Sequence, residues 1–288
     1  MLDPDTLARR IQESLANPSP DFWKATIDEA AEELRAAQDA NENSAADRFW
    51  FLHKVASIRH RYIQCIEEIK AAKYYEAWCD LERVEIELSW LRKNPFYDPK
   101  DFDVIALEEQ VSNWQSLFPY TIFFSPAFLE KRKECGICRA VVDPWTDCGH
   151  EIGKVYGGRE CVHMVTKAEP LEISIVLDPV QKYSVAHSVL DKDGNSVDHH
   201  DYSPVKFVAD RLHSPFDGFR IHKTKAWHPH SRYPETPPEN PCPCESGRRY
   251  ADCCQTKPGV LRPHFQVMFE KPPPSNMPAI VFSEAREG

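Results

Sequence analysis

No stretch of this chain approaches the roughly 18 consecutive apolar residues that a membrane-spanning helix needs, although 42% of its 288 residues are hydrophobic. The first residues, MLDPDTLARRIQESL, lack the basic-then-apolar order of a secretory signal. There is no internal repeat of fixed period, and no G-x-x-x-x-G-K-[ST] loop of the kind that cradles phosphate in P-loop ATPases. These absences leave a globular protein of two or three domains, at roughly 100–200 residues each, with the cytoplasm as its expected location. In a reducing compartment, clustered cysteines are expected to be metal ligands rather than disulfides.

Charge is unevenly spread. Residues 1–130 hold 14 Lys and Arg against 24 Asp and Glu, and residues 131–288 hold 21 of each, so the whole net charge of −10 lies in the first part. An acidic surface repels phosphate, which argues against nucleic-acid binding there.

The first part reads as helices. After Pro20 and Asp21, taken as stop and cap signals, Phe22, Ile27, Ala30 and Leu34 recur at helical spacing. Phe49, Leu52, Val55, Tyr62, Ile66 and Ile69 form a second apolar stripe, and Tyr74, Trp78, Leu81, Leu88 and Leu91 a third. These two meet near Ala71 without Gly or Pro, which leaves one long helix or a hairpin open. A fourth stripe runs from Val104 to Phe118. After Pro126, alternation at Leu171, Ile173, Ile175 and Leu177 predicts a strand, and Lys192-Asp193-Gly194-Asn195 a turn between two short pairing runs. PVKFVADRLHSPF predicts a short helix. From Ser231 on, 11 prolines fall in 58 residues, so neither long helix nor central sheet fits. The segment LRPHFQVMFEKPPP is expected to be a strand pairing back on the body or a peptide offered to a partner by β-augmentation.

That proline-rich part carries NPCPCESGRRYADCC, Asn240 to Cys254, with the spacing C-x-C-x8-C-C. Two thiolate pairs on short turns can close a tetrahedral zinc site of Cys242, Cys244, Cys253 and Cys254. Pro241 and Pro243 stiffen the first turn, and Gly247 allows a reversal between the pairs. So short an element buries too little to order itself, whereas zinc contributes an apparent ~10–16 kcal/mol in small finger peptides. With four thiolates there is no open coordination position, and such an ion is structural.

This stretch resembles the SEC-C motif, usually worded (N/D)PCPCGSGKKYKKCC or ending in CH, and named for the tail of the protein-export motor SecA. The match covers Asn240 to Cys244, Ser246, Gly247, Arg248, Arg249, Tyr250, Cys253 and Cys254. Glu245 replaces the usual glycine, and Ala251-Asp252 the usual basic pair. The resemblance implies a zinc-binding module that docks a protein partner. No motor precedes it here.

Upstream, Cys135-x2-Cys138-x9-Cys148-x-His150 is followed by Cys161 and His163, six candidate ligands in 29 residues where zinc needs four. The preferred set is Cys135, Cys138, Cys148 and His150, with Cys161 as the substitute for His150, and His163 also open. The string C-x2-C…C-x-H-x2-G-x2-Y-x-G-x2-C is similar to a small zinc segment of phage and mobile-element proteins, which implies a phage-defence or mobile-element setting but no activity.

Three constellations compete. Arg48 and His53 fit the R-x4-H pattern of HEPN-like ribonucleases, where an imidazole serves acid–base cleavage of RNA. A zinc hydrolase would need a three-ligand upstream site beside a carboxylate such as Glu151 or Glu160. Arg248, Arg249, Lys257 and Arg262 on or beside the knuckle offer an RNA- or ribosome-binding surface, offset by Glu239, Glu245 and Asp252. His199-His200 and the WHPH of residues 227–230 are weak third metal candidates, and Cys65 and Cys79 are expected to be small buried hydrophobes.

The sequence therefore predicts an α+β protein with three parts. Residues 1–130 form an acidic helical bundle or array, 131–230 a zinc-bearing α+β domain, and 231–288 a proline-rich tail with a knuckle at 240–257. Two structural zinc ions and a protein partner are expected. Catalytic residues, membrane contact and small-molecule cofactors are not.

Overall fold

The computed structural model describes residues 2–143, 145 and 148–274. Among these are six helices and seven strands in small sheets, an α+β protein. No helix is long and apolar enough to cross a membrane. The described residues fall into two compact units. One runs through Tyr202 and includes Ser214–Phe216; the other comprises Ser203–His213 and the residues from Asp217 on.

In the first unit, helix α1 (Pro4–Glu13) starts where the Asp3 side chain accepts the Thr6 amide at 3.1 Å, with Pro4 in the first turn. Helix α2 (Pro20–Asp39) is capped by Ser19, whose hydroxyl accepts the Phe22 amide at 3.3 Å. Ser19, not Asp21, is thus the cap; Asp21 is an acidic first-turn residue that suits the helix dipole. The buried face of α2 is Trp23, Thr26, Ala30 and Ala37, while Phe22, Ile27 and Leu34 are half-buried. The buried face nearly coincides with the expected stripe, sharing Ala30, but its fully buried positions fall to Trp23, Thr26 and Ala37 instead of Phe22, Ile27 and Leu34. Trp23 anchors it by donating its indole N–H to the Asn17 carbonyl at 2.8 Å, and the alanines allow close approach of the neighbouring helix.

Helix α3 (Asn43–Lys70) is buried on most sides, through Phe49, Phe51, Leu52, Ile58, Tyr62, Ile63 and Ile66 among others. Such all-round burial marks a central helix, and α1, α2 and α4 (Tyr74–Leu91) pack around it. The α3–α4 junction is a hairpin, with Ala72 at φ 59° breaking the helix although neither Gly nor Pro is present. Helix α5 (Val104–Leu117) packs on α4, and its Trp114 donates to the Tyr62 hydroxyl at 3.1 Å inside the core. The buried Arg59 guanidinium donates to the carbonyls of Leu15 and Phe102 at 2.7 and 2.8 Å, tying the end of the α1 segment and the loop before α5 to the central helix. Cys65 is fully buried, whereas Cys79 is only half-buried.

Strand β1 (Phe123–Cys135) then pairs antiparallel with β3 (His163–Val176), and the two-residue β2 (Val141–Val142) covers β1 only at Lys133 and Glu134. The change from helix to strand falls ahead of Pro126, which lies within β1. Proline is tolerated there because β1 has no second neighbour at that point. Strands β4 (Val189–Leu190) and β5 (Ser196–Val197) pair across a turn whose Gly194 takes φ 82°.

The second unit contains α6 (Ser203–Ala209) and the antiparallel pair β6 (Phe219–His228) and β7 (Val260–Phe269). The segment LRPHFQVMF is therefore a strand paired back on its own unit. At the end of this pair a Cβ on Gly259 would lie 2.2 Å from the His228 carbonyl oxygen, so only glycine fits.

Candidate metal centres

Two groups of side chains gather to metal-binding distances. In the second unit, one ligand atom each from Cys242, Cys244, Cys253 and Cys254 lies within 4.8 Å of the others. The sulfurs of Cys244 and Cys253 are 3.4 Å apart, and those of Cys253 and Cys254 3.9 Å. Four thiolates at a Zn–S length of ~2.3 Å sit ~3.8 Å apart in a tetrahedron. The spacing suits an ion, not covalent bridges, and all ten cysteines are free thiols.

Backbone geometry builds this cluster from short-range contacts. Cys242 donates its amide to the Arg248 carbonyl at 2.8 Å, Tyr250 donates to Asn240 at 2.8 Å, and Glu245 to Cys242 at 2.9 Å. The chain reverses at Gly247, φ 73°. Cys242, Tyr250, Cys253, Cys254 and Val260 make a miniature core, with Tyr233, Cys244 and Leu261 against it. The sulfurs also receive hydrogen bonds. Burial raises the Cys244 thiol, but the Ser246 hydroxyl and amide and the neighbouring thiols bring it down to about 6. Burial pushes Cys242 up to about 12 despite the Cys244 amide. Arg248 reaches the Cys253 sulfur at 3.3 Å.

His230 supports this core without being a ligand. Its Nε2 lies 2.8 Å from the Lys257 carbonyl, an acceptor, so Nε2 carries the proton and Nδ1 accepts from the Tyr250 hydroxyl at 2.5 Å. The WHPH histidine is thus a buttress. The signal for it was the neighbouring tyrosine of the knuckle, which needs a partner for its hydroxyl.

In the first unit, ligand atoms of Cys135, Cys138, Cys148 and His150 also lie within 4.8 Å of one another. Cys135 ends β1, and the turn after it closes with the Arg139 amide donating to the Cys135 carbonyl at 2.9 Å. The amides of Cys138 and Ile137 point at the Cys135 sulfur and, with the Cys148 and Cys138 thiols, pull its pKa down to about 6 against burial. The Cys148 sulfur likewise accepts the His150 amide. His150 Nδ1 is buried with no hydrogen-bond partner, as a nitrogen reserved for a metal would be. Cys161 is fully buried with its sulfur 3.9 Å from that of Cys135, so a fifth donor stands beside the four. His163 lies opposite Cys135 in the strand register but outside the ligand group.

The loop between these ligands is held by the helices. Gly158 donates its amide to Asp47 at 2.6 Å, and Gln38 donates to the Gly157 carbonyl at 2.9 Å. A Cβ on Gly158 would lie 2.3 Å from Leu34, and one on Gly153 2.8 Å from the Trp90 ring. Both take positive φ. Both glycines stand in the string C-x-H-x2-G-x2-Y-x-G-x2-C, but the string carries no sign of the helices they meet.

The alternative constellations are placed as follows. Arg48 pairs with Asp5 at 3.8 Å and lies over the Phe96 and Phe51 rings. The pKa of His53 is pushed down by burial and Lys54 and raised by the charges of Glu87 and Asp28. The two side chains have different surroundings. On the knuckle, Arg249 pairs with Asp252 at 2.7 Å, and the nearly buried Arg262 pairs with Glu245 at 2.5 Å while donating to the Pro243 carbonyl.

The chain thus defines a metal-binding protein with two separate Cys/His clusters, each able to hold a zinc ion. Residues 240–256 match the family model of the SEC-C motif, a metal-binding motif. No curated protein and no solved structure matches the chain.

Proposed function

We propose that this is a non-enzymatic interaction protein, an adaptor in which two structural zinc ions hold rigid surfaces for a protein partner, with Cys242, Cys244, Cys253 and Cys254 binding one ion and Cys135, Cys138, Cys148 and His150 the other. The observation that carries this reading is the closed C-terminal cluster. Four sulfurs at mutual contact leave no coordination position for substrate, and its zinc would supply folding energy rather than Lewis acidity. Three of the knuckle's four cations favour a protein over nucleic acid, because Arg249 and Arg262 are neutralised by Asp252 and Glu245 and Arg248 is turned onto a sulfur, which leaves only the exposed Lys257. Phosphate contact would need those charges free.

The test uses the intact chain against the variant with Cys253→Ser and Cys254→Ser, in affinity capture followed by zinc analysis. Loss of the captured partner with the C-terminal zinc supports the adaptor. RNA cleavage by the wild type that His53→Ala abolishes replaces it with the ribonuclease, and salt-sensitive RNA binding lost in Arg248→Ala, Arg249→Ala replaces it with the RNA-binding reading.

A further inference from the structure

The ribbon formed by β1 and β3 leaves one face bare. Leu171, Ile173, Ile175 and Leu177 alternate along β3 and just past its end, and they are 64 to 77% exposed; Phe124 and Phe128 of β1 are 42 and 54% exposed. Phe124 stands opposite Ile175 in the register, so these side chains share a face. At about 200 Å² for a large apolar residue, the six expose on the order of 700 Å². The largest apolar patch on an ordinary monomer is ~300–600 Å². A two-stranded ribbon is also marginal by itself in water, and β3 is an edge strand along its whole length.

We propose that this face is the self-association surface of the protein, two copies packing their β1–β3 faces together about a two-fold axis. Area argues for it: a stable dimer buries ~800 Å² on each partner, and the bare face supplies nearly that. Charge argues for it as well. Six of the ribbon's eight charged Lys, Arg and Glu side chains pair among themselves, Lys131 with Glu169 at 3.1 Å, Lys133 with Glu130 at 2.9 Å and Arg132 with Glu134 at 2.9 Å, and the other two, Lys167 and Glu172, are of opposite sign. The face therefore meets an identical face without like-charge repulsion and offers nothing to a charged ligand. The first unit as a whole is acidic: it carries 23 Lys and Arg against 36 Asp and Glu, a net −13. The two first units repel each other outside the neutral ribbon, so association tightens as salt screens that repulsion.

Sedimentation and light scattering of the full chain at micromolar concentrations, in about 0.1 M and about 0.5 M salt, test this. A dimer that strengthens with salt is expected. Ile173→Asp with Ile175→Asp buries two unpaired charges and should raise the dissociation constant at least ~100-fold. Leu177→Asp, beyond the strand and so harmless to pairing, should weaken it in the same direction. Both variants must keep two zinc ions and the helical circular dichroism of the wild type, which separates lost association from lost folding. A wild type that stays monomeric in both salts overturns the proposal, whether or not it then binds another protein or vesicles. So does a dimer indifferent to these aspartates.

Discussion

The two thiol clusters use the same ligand chemistry in opposite structural settings. The C-terminal four come from 13 consecutive residues, and the core around them is largely the sulfurs themselves with Tyr250 and Val260. Remove the ion and almost no apolar burial remains to hold the turns. The upstream cluster sits where β1 ends and a loop returns to β3, and that loop is fastened to α2 and α3 through Gln38 and Asp47. There a metal would close a loop that packing already positions. In one place zinc would make the fold; in the other it would finish it.

The largest expected effect follows from that difference. Exhaustive chelation should abolish hydrogen-exchange protection across residues 240–256 while the helices α1–α5 keep theirs, with the loop around Gly158 in between. Full protection of the knuckle without zinc would erase the distinction, since its order would then owe nothing to the ion.

Partial metal loss sharpens the comparison. Elemental analysis should give two zinc ions per chain, falling to one when Cys253 and Cys254 are both serine. At the upstream cluster His150→Ala should weaken binding without abolishing it, because the Cys161 sulfur lies 3.9 Å from that of Cys135 and can step in. Cys161→Ser alone should leave the stoichiometry at two; if it abolishes the upstream ion instead, the site is four cysteines and His150 is a bystander. Thiol reagents should attack Cys138 first, because it is exposed while Cys242, Cys253 and Cys254 are buried.

Acid tests the upstream cluster through Cys135. Its thiol is pulled down to about 6, chiefly by the Cys138 amide, from an unfolded value of ~8.5. A depressed pKa contributes stability that is complete above ~8.5 and is lost as pH falls through the folded value. In the metal-free chain the stability that the Cys135 thiolate contributes should therefore fade as pH falls through about 6, followed as the difference in unfolding midpoint between the wild type and Cys135→Ser. A difference already lost above pH 7 would show that the amide–sulfur bonds do not hold the thiolate.

Much of this was legible because ligand spacing is local. Cys242-x-Cys244 and Cys253-Cys254 fix two tight turns whatever surrounds them, and the apolar stripes of α3 and α4 report burial at helical period. Other features were not legible. On α2 the fully buried positions beside the expected Ala30 fell to Trp23, Thr26 and Ala37, because an anchored indole and small side chains decide helix approach, which hydrophobicity alone does not rank. The α3–α4 hairpin has no breaker residue; Ala72 takes a left-handed φ because packing of both helices rewards it. The docking of Gly153 and Gly158 on the helices, and the His230–Tyr250 buttress, join residues that pattern reading treats separately.

The smallest effect concerns the residue that departs from the motif. Glu245 stands where the motif usually has glycine, and its φ is 61°, the left-handed region that glycine occupies without strain. Its carboxylate compensates by meeting Arg262, whose side chain is 7% exposed. Glu245 is itself 60% exposed, so solvent screens the pair to no more than about 1 kcal/mol. Glu245→Gln removes the charge and keeps the strain, whereas Glu245→Gly removes both. Glu245→Gln should loosen the knuckle slightly, whereas Glu245→Gly should stay near the wild type, the milder by about 1 kcal/mol, partly offset by its freer unfolded chain. Chelator-competition midpoints measure the difference. Equal midpoints would mean that the left-handed turn costs this chain nothing, and that Arg262 alone explains the glutamate.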